Sequence, residues 1–114
     1  MIIHESQREN AAQTGEGLQA VTKKILLGPK NGFSGYLRQF TLGPGGHSPL
    51  HSHDWYHVAY ILEGQGKVLL DGREHAVRAG TAAYVEANRE HQFLNTGDSE
   101  MRFLCLVPEN GDSY

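Results

Sequence analysis

The chain has 114 residues, enough for one domain around one core. Ten Lys and Arg against 13 Asp and Glu give a net charge of -3, and no basic run marks a nucleic-acid surface. No apolar run nears the roughly 18 residues of a membrane span, and the polar start, Met1 to Thr14, lacks the apolar centre of a signal peptide. A single cysteine, Cys105, forbids an internal disulfide, so a soluble cytoplasmic protein is the simplest inference.

Residues 1–20 read as a polar arm with little structure of its own, although Ile2-Ile3 can pair as an edge strand. Val21 to Leu27 is the first predicted strand, stopped by Gly28-Pro29. Asn31-Gly32 signals a turn. Tyr36 to Leu42 is a strand whose Tyr36, Arg38, Phe40 and Leu42 share one face. Arg38 is therefore either at a strand end open to water or a charge aimed inward. Gly43-Pro44-Gly45-Gly46 reads as a sharp loop. A histidine-rich stretch then leads into Val58 to Leu62, and Glu63-Gly64-Gln65-Gly66 turns the chain. Lys67 to Leu70 and Glu74 to Val77 flank Asp71-Gly72, a two-residue hairpin signal. Thr81 to Val85, His91 to Asn95 and Met101 to Val107 are further strands, and Pro108 ends the last. Fourteen glycines and about eight short strands at intervals of about eight to twelve residues predict an all-β sandwich or barrel without a second domain. The apolar last strand needs cover on both faces, which a second subunit would provide.

The stretch His51-Ser52-His53-Asp54-Trp55-Tyr56-His57 carries the chemistry. Residues 51, 53 and 57 have like parity, so an extended strand through them aims three imidazoles one way. Neutral imidazole is the commonest ligand for divalent transition metals. With His91, these residues predict one such ion inside a small barrel. His4, His47 and His75 read as solvated or loop histidines. Phe93 shares the face of His91 and, with Phe103 and Arg38, is a candidate for a substrate pocket; Arg38 can grip a carboxylate or phosphate. Tyr60 has the opposite parity to His57 and should face away. Cys105 reads as a small buried hydrophobe. Asn95 reads as a brace of the barrel.

From the Gly43–Gly46 loop to Leu106 the chain resembles the cupin superfamily. Gly46, His51, His53 and Gly64 match the first cupin motif, with His57 at its glutamate position. Gly80, His91 and Asn95 match the second, where Glu86 and Asn88 replace its proline and glycine. The chain is similar to the small single-domain four-histidine cupins, some of which bind manganese. The resemblance implies a jelly-roll β-barrel (a double-stranded β-helix) over residues 1–114 and a homodimer. It puts manganese first among the metals, with iron, zinc, nickel and copper open. Four neutral histidines leave a divalent site near +2, where a glutamate ligand would leave about +1, so an anionic ligand binds better. Two open metal positions would suit a dioxygenase or an isomerase acting on a small oxygen-bearing molecule. The alternative is a module that binds or senses a small molecule without turnover, and a third reading is a scaffold that the metal merely stabilises.

Overall fold

Two-residue alternation decides which side chains each strand sends inward. A computed structural model describes all 114 residues and forms nine strands and two short 3-10 turns. The strands are β1 (Ala11–Gln13), β2 (Gln19–Leu27), β3 (Tyr36–His47), β4 (His57–Glu63), β5 (Gln65–Leu70), β6 (Arg73–Arg78), β7 (Ala82–Val85), β8 (His91–Asn95) and β9 (Met101–Val107). Their order across one curled, antiparallel sheet is β6-β5-β8-β3-β9-β4-β7, with β2 added on β3 and β1 on β2. This is the expected all-β jelly-roll architecture.

The inward set follows parity. β9 buries Met101, Phe103, Cys105 and Val107, β4 buries His57, Ala59 and Ile61, and β8 buries His91, Phe93 and Asn95. Across β3 and β9, Arg38 pairs with Cys105, Phe40 with Phe103 and Leu42 with Met101. The core therefore has rows: an aromatic row around Phe40, Phe93 and Phe103, and a polar row beside it at Arg38 and Cys105. Asn95 braces the barrel as expected. Its Nδ2 donates to the Leu42 carbonyl at 2.9 Å and the Ser99 carbonyl at 2.8 Å, and its Oδ1 accepts from Gly97 N–H at 2.9 Å. Asp71-Gly72 makes the predicted hairpin between β5 and β6, both residues at positive φ.

Three local expectations change. The arm is not featureless. Ala11–Gln13 pairs with Val21–Lys23, while Ile2 is fully exposed and forms no strand. Long-range bonds tie the arm down, with Arg8 Nε donating to the Leu26 carbonyl at 3.0 Å and Lys24 Nζ to the Glu5 carbonyl at 3.2 Å. The Gly43–Gly46 segment does not end its strand. It bulges within β3, because Leu42 pairs with Val21 while His47 already pairs with Gln19. Gly46 is required there: an added Cβ would lie 2.7 Å from the Gly43 carbonyl oxygen and 2.9 Å from that of Gln19. Beyond the bulge β3 leaves β9 and reaches β8, with His47 opposite Leu94. Nor does one strand run through the histidine stretch. His51 sits in an isolated bridge, residues 52–56 form a loop, and β4 begins only at His57.

Outside, β4 presents Val58, Tyr60 and Leu62, with Leu106 and Leu104 of β9 opposite Val58 and Tyr60 and Tyr84 of β7 flanking Val58. Tyr60 thus faces away from the core, as its parity predicts. No helix is long and apolar enough to cross a membrane.

Candidate metal centre

Backbone pairing sets the site before any side chain contact does. His51 and His91 face each other in an antiparallel bridge, each N–H donating to the other's carbonyl at 3.2 and 2.9 Å. His57 opens β4 opposite Val85 of β7. Between them the Asn88 N–H holds the His53 carbonyl at 2.7 Å. One bridge, one loop and one strand end therefore replace the single strand that parity suggested. The four rings still converge. Centroids lie 4.4 Å apart for His53–His57, 4.9 Å for His53–His91 and His57–His91, 5.0 Å for His51–His91 and 5.1 Å for His51–His53.

The outer nitrogens fix which way the rings point their lone pairs. A backbone carbonyl only accepts, so the nitrogen that meets one carries the proton. Nδ1 of His53 donates to the Trp55 carbonyl at 2.9 Å and Nδ1 of His91 to the Arg89 carbonyl at 2.9 Å. Both Nε2 atoms are then bare acceptors turned into the cluster. Nε2 of His51 and Nε2 of His91 are buried without any hydrogen-bond partner. An orphaned buried acceptor is costly unless a cation or donor meets it. The ligand nitrogens of His51, His53 and His91 all lie within 4.8 Å of one another. This donor set fits a divalent transition metal, with carbonyls behind the imidazoles holding their tautomers. His57 stands against the same group: its Nε2 is 2.5 Å from Nε2 of His53, and its Nδ1 is 3.1 Å from Cys105 Sγ.

Burial holds these histidines neutral. It pushes His51 down to about 4, helped by His91 and His53, and His57 down to about 2, helped by the Arg38 charge. His53 and His91 are lowered too, again chiefly by burial, with the Trp55 and Arg89 carbonyls acting the other way. In the unfolded chain the same groups take up protons near pH ~6.5. Between about 6.5 and 4 the unfolded state binds more protons, so stability falls as pH drops through that window. The melting temperature of chelator-treated protein should be level above pH ~7 and decline steadily from about 6.5 to 4. A value unchanged across that window would contradict a buried neutral cluster. Because burial lowers all four imidazoles, protons compete with a metal for them only below the ordinary histidine range.

Beside the histidines lies a second polar group. Arg38 is fully buried, so its charge is aimed inward. Its Nη2 donates to Cys105 Sγ at 3.1 Å, its Nη1 meets Asp112 Oδ1 at 3.3 Å, and its Nε has no partner. Cys105 is buried as expected, yet its sulfur also joins the guanidinium to the His57 ring. Burial raises its thiol pKa, with Arg38 opposing. Phe93 and Phe103 stack at 4.6 Å in the core, and Phe93 follows His91 by two residues on the same inward face. His4 and His75 are exposed, and His47 is half-buried at the end of β3.

The sequence profile of the Cupin_2 family, a cupin domain, matches residues 38–107. The chain belongs to the cupin family. Among curated cupin relatives, the 1-methylthio-D-xylulose 5-phosphate methylsulfurylase of Rhodospirillum rubrum is 35% identical over 94 residues, 82% of this chain and 60% of that protein. The oxalate-binding protein of Thermotoga maritima is 30% identical over 67 residues, 58% of this chain and 55% of that protein. This cupin chain thus spans less than two thirds of either relative. The solved polyketide cyclase RemF from Streptomyces resistomycificus superposes with a TM-score of 0.89 at 26% identity, covering 96% of this chain and 80% of that one.

The C-terminal residues Asp112 and Tyr114 had no sequence signal for a place at this site. Asp112 reaches Lys23 across 89 positions, and the Tyr114 ring lies 5.3 Å from that of His51. Only closure of the barrel brings such positions together.

Proposed function

We propose that this cupin is a four-histidine metalloprotein of the manganese-binding type. On this reading it binds a small oxygen-bearing organic molecule through the metal and transforms it as a dioxygenase or isomerase. One observation carries the reading: inward-facing Nε2 atoms converge, and two of them are buried without a partner. His51, His53, His57 and His91 would hold the ion. When bound, it would supply a Lewis acid with positions open to an oxygen-bearing ligand. The chain's own residues would do the rest. The Trp55 and Arg89 carbonyls orient His53 and His91, Arg38 draws an anionic group towards the cluster, and Phe93 and Phe103 wall the site off from water. Curated relatives named as a methylsulfurylase and as an oxalate-binding protein keep both enzyme and binder in view. The binder favours a second reading, small-molecule capture without turnover.

Elemental analysis of untagged protein purified without added metal, then spectroscopy of the coordination shell, tests the proposal. Manganese or iron with exchangeable water is expected. Four-coordinate zinc without water would make the site structural and overturn it. The exposed row of Val58, Tyr60, Leu62 and Tyr84 supports a homodimer, and light scattering of the same sample at the mass of one chain would refute that part.

A further inference from the structure

The segment after β9 crosses back over the end of the barrel that holds the histidines. Gly111 turns it, its N–H donating to the Pro108 carbonyl at 2.9 Å. Gly111 also seats it: an added Cβ would lie 2.7 Å from Val107 Cβ and 2.9 Å from Trp55 Cδ1 and Nε1. Trp55 in turn stacks on His53, with centroids 4.3 Å apart and planes within 4°. Tyr114 packs between His51 and Phe40, with ring centroids at 5.3 and 5.6 Å. Lys23 pins the segment, its Nζ 2.8 Å from Asp112 Oδ1 and 2.6 Å from the Tyr114 carbonyl.

The charges at this pin are unevenly matched. Two cationic side chains, Lys23 and Arg38, converge on a single carboxylate oxygen. The Arg38 contact is one nitrogen at 3.3 Å, not the two-pronged grip that a guanidinium makes with a well-placed carboxylate, and the buried Nε stays unpartnered. A buried guanidinium that gives the carboxylate only one nitrogen, while Nη2 meets Cys105 and the group lies over Phe40, has capacity for an anion that can meet it with two oxygens. It also stands one atom from the cluster, since Cys105 Sγ is 3.1 Å from both Arg38 Nη2 and His57 Nδ1.

We propose that residues 108–114 are a displaceable strap, and that Asp112 occupies an anion subsite built by Lys23 and Arg38 for a carboxylate or phosphate group of the substrate. The inference rests on the reading of the histidine cluster as the substrate centre, and it adds the class of substrate: one that is anionic beside its metal-binding oxygens. An arriving anion takes the place of the Asp112 carboxylate, the strap lifts from Trp55, and Tyr114 leaves the histidines.

Trp55 is the only tryptophan, so the access of a quencher to it reports whether the strap covers it. The experiment uses the full chain treated with chelator, acrylamide as quencher, and oxalate or inorganic phosphate as the probe, with chloride at matched ionic strength. Saturable growth of quenching with oxalate or phosphate, but not chloride, is expected, and the more effective anion distinguishes carboxylate from phosphate. Gly111→Ala keeps every polar group but unseats the strap. It should show greater quenching without anion and bind the probe roughly tenfold more tightly, because the open form is already populated. Adding Lys23→Gln to that variant should remove the response. No response to either anion in the wild-type chain and in Gly111→Ala would overturn the proposal. If the variant fails to fold by circular dichroism, the wild-type titration decides alone. Calorimetry with Mn(II) separates the two readings. Metal uptake without an anion response sinks the strap and spares the metal centre. An anion response without metal uptake does the reverse.

Discussion

Replacing His91 by alanine should abolish metal-dependent stabilisation while leaving the metal-free protein folded. The reasoning starts from the two states of the cluster. Without a cation, Nε2 of His91 is a buried acceptor with no partner, so removing the ring also removes a desolvation cost. The lost bond from Nδ1 to the Arg89 carbonyl and the small cavity act the other way. With a cation, the wild-type chain gains stability as the logarithm of metal concentration over Kd, about 2.7 kcal/mol at roughly 100 times Kd. His91→Ala should lose about 100-fold or more in affinity, since even residues behind a ligand cost ~10- to 100-fold when removed. Thermal melts with and without Mn(II), paired with calorimetry, measure both quantities. His57→Ala is the sharper arm. Its Nε2 touches His53 rather than standing alone, so a loss equal to that of His91→Ala assigns it as fourth ligand. Affinity kept within about tenfold would make it a neighbour of a three-histidine site. A His91→Ala chain that binds as tightly as wild type would disprove the centre.

How far the residues disclosed this arrangement depends on the range of the forces involved. Parity is local, and it placed His91, Phe93 and Asn95 on one inward face and Tyr60 on the outer one. The hairpin at Asp71-Gly72 is likewise set by two residues with positive φ. His51 and His53 were readable as companions, but the reason was incomplete. The His51–His91 bridge, not a continuous strand, fixes their separation, and the loop at 52–56 brings His57 round. Glycine can end a strand or bulge within it, and the Gly43–Gly46 segment bulges because β2 continues beside it on both sides. The arm was harder still. Ala11–Gln13 has no apolar alternation to betray it, and β2 supplies the edge on which it pairs.

The polar tail shows where local reading stops. Nothing in Glu109 to Tyr114 marks a contact with Lys23, Arg38 or His51, because each partner lies tens of positions away and meets it only once the barrel has closed. Arg38 was ambiguous for the same reason. A cation on an inward face is either solvated at a strand end or paired inside, and the pair here is formed by a residue 74 positions later.

Phe103→Ala should cost about 3–5 kcal/mol. Phe103 sits at the middle of the aromatic row. It stacks on Phe93 at 4.6 Å and 11° and on Phe40 at 5.5 Å, and it pairs across β9 with Phe40 and Ile61. β3 and β4 flank its strand on either side. The expected shift in melting temperature is roughly 12 to 20 °C for a domain of this size. Phe103→Leu keeps most of the volume and should cost under about 1.5 kcal/mol. Urea unfolding of metal-free protein is the measurement, so that metal linkage does not enter. A lower midpoint with an unchanged slope assigns the loss to the native core rather than to the unfolded state. The row also supports the site. Phe93 carries the stack to β8, two residues from His91, so a looser row lets that strand shift against the His51 bridge. Phe103→Ala should therefore weaken Mn(II) binding as well, by less than His91→Ala does. A loss below about 1.5 kcal/mol would mean that β8 and β9 are not packed through these rings.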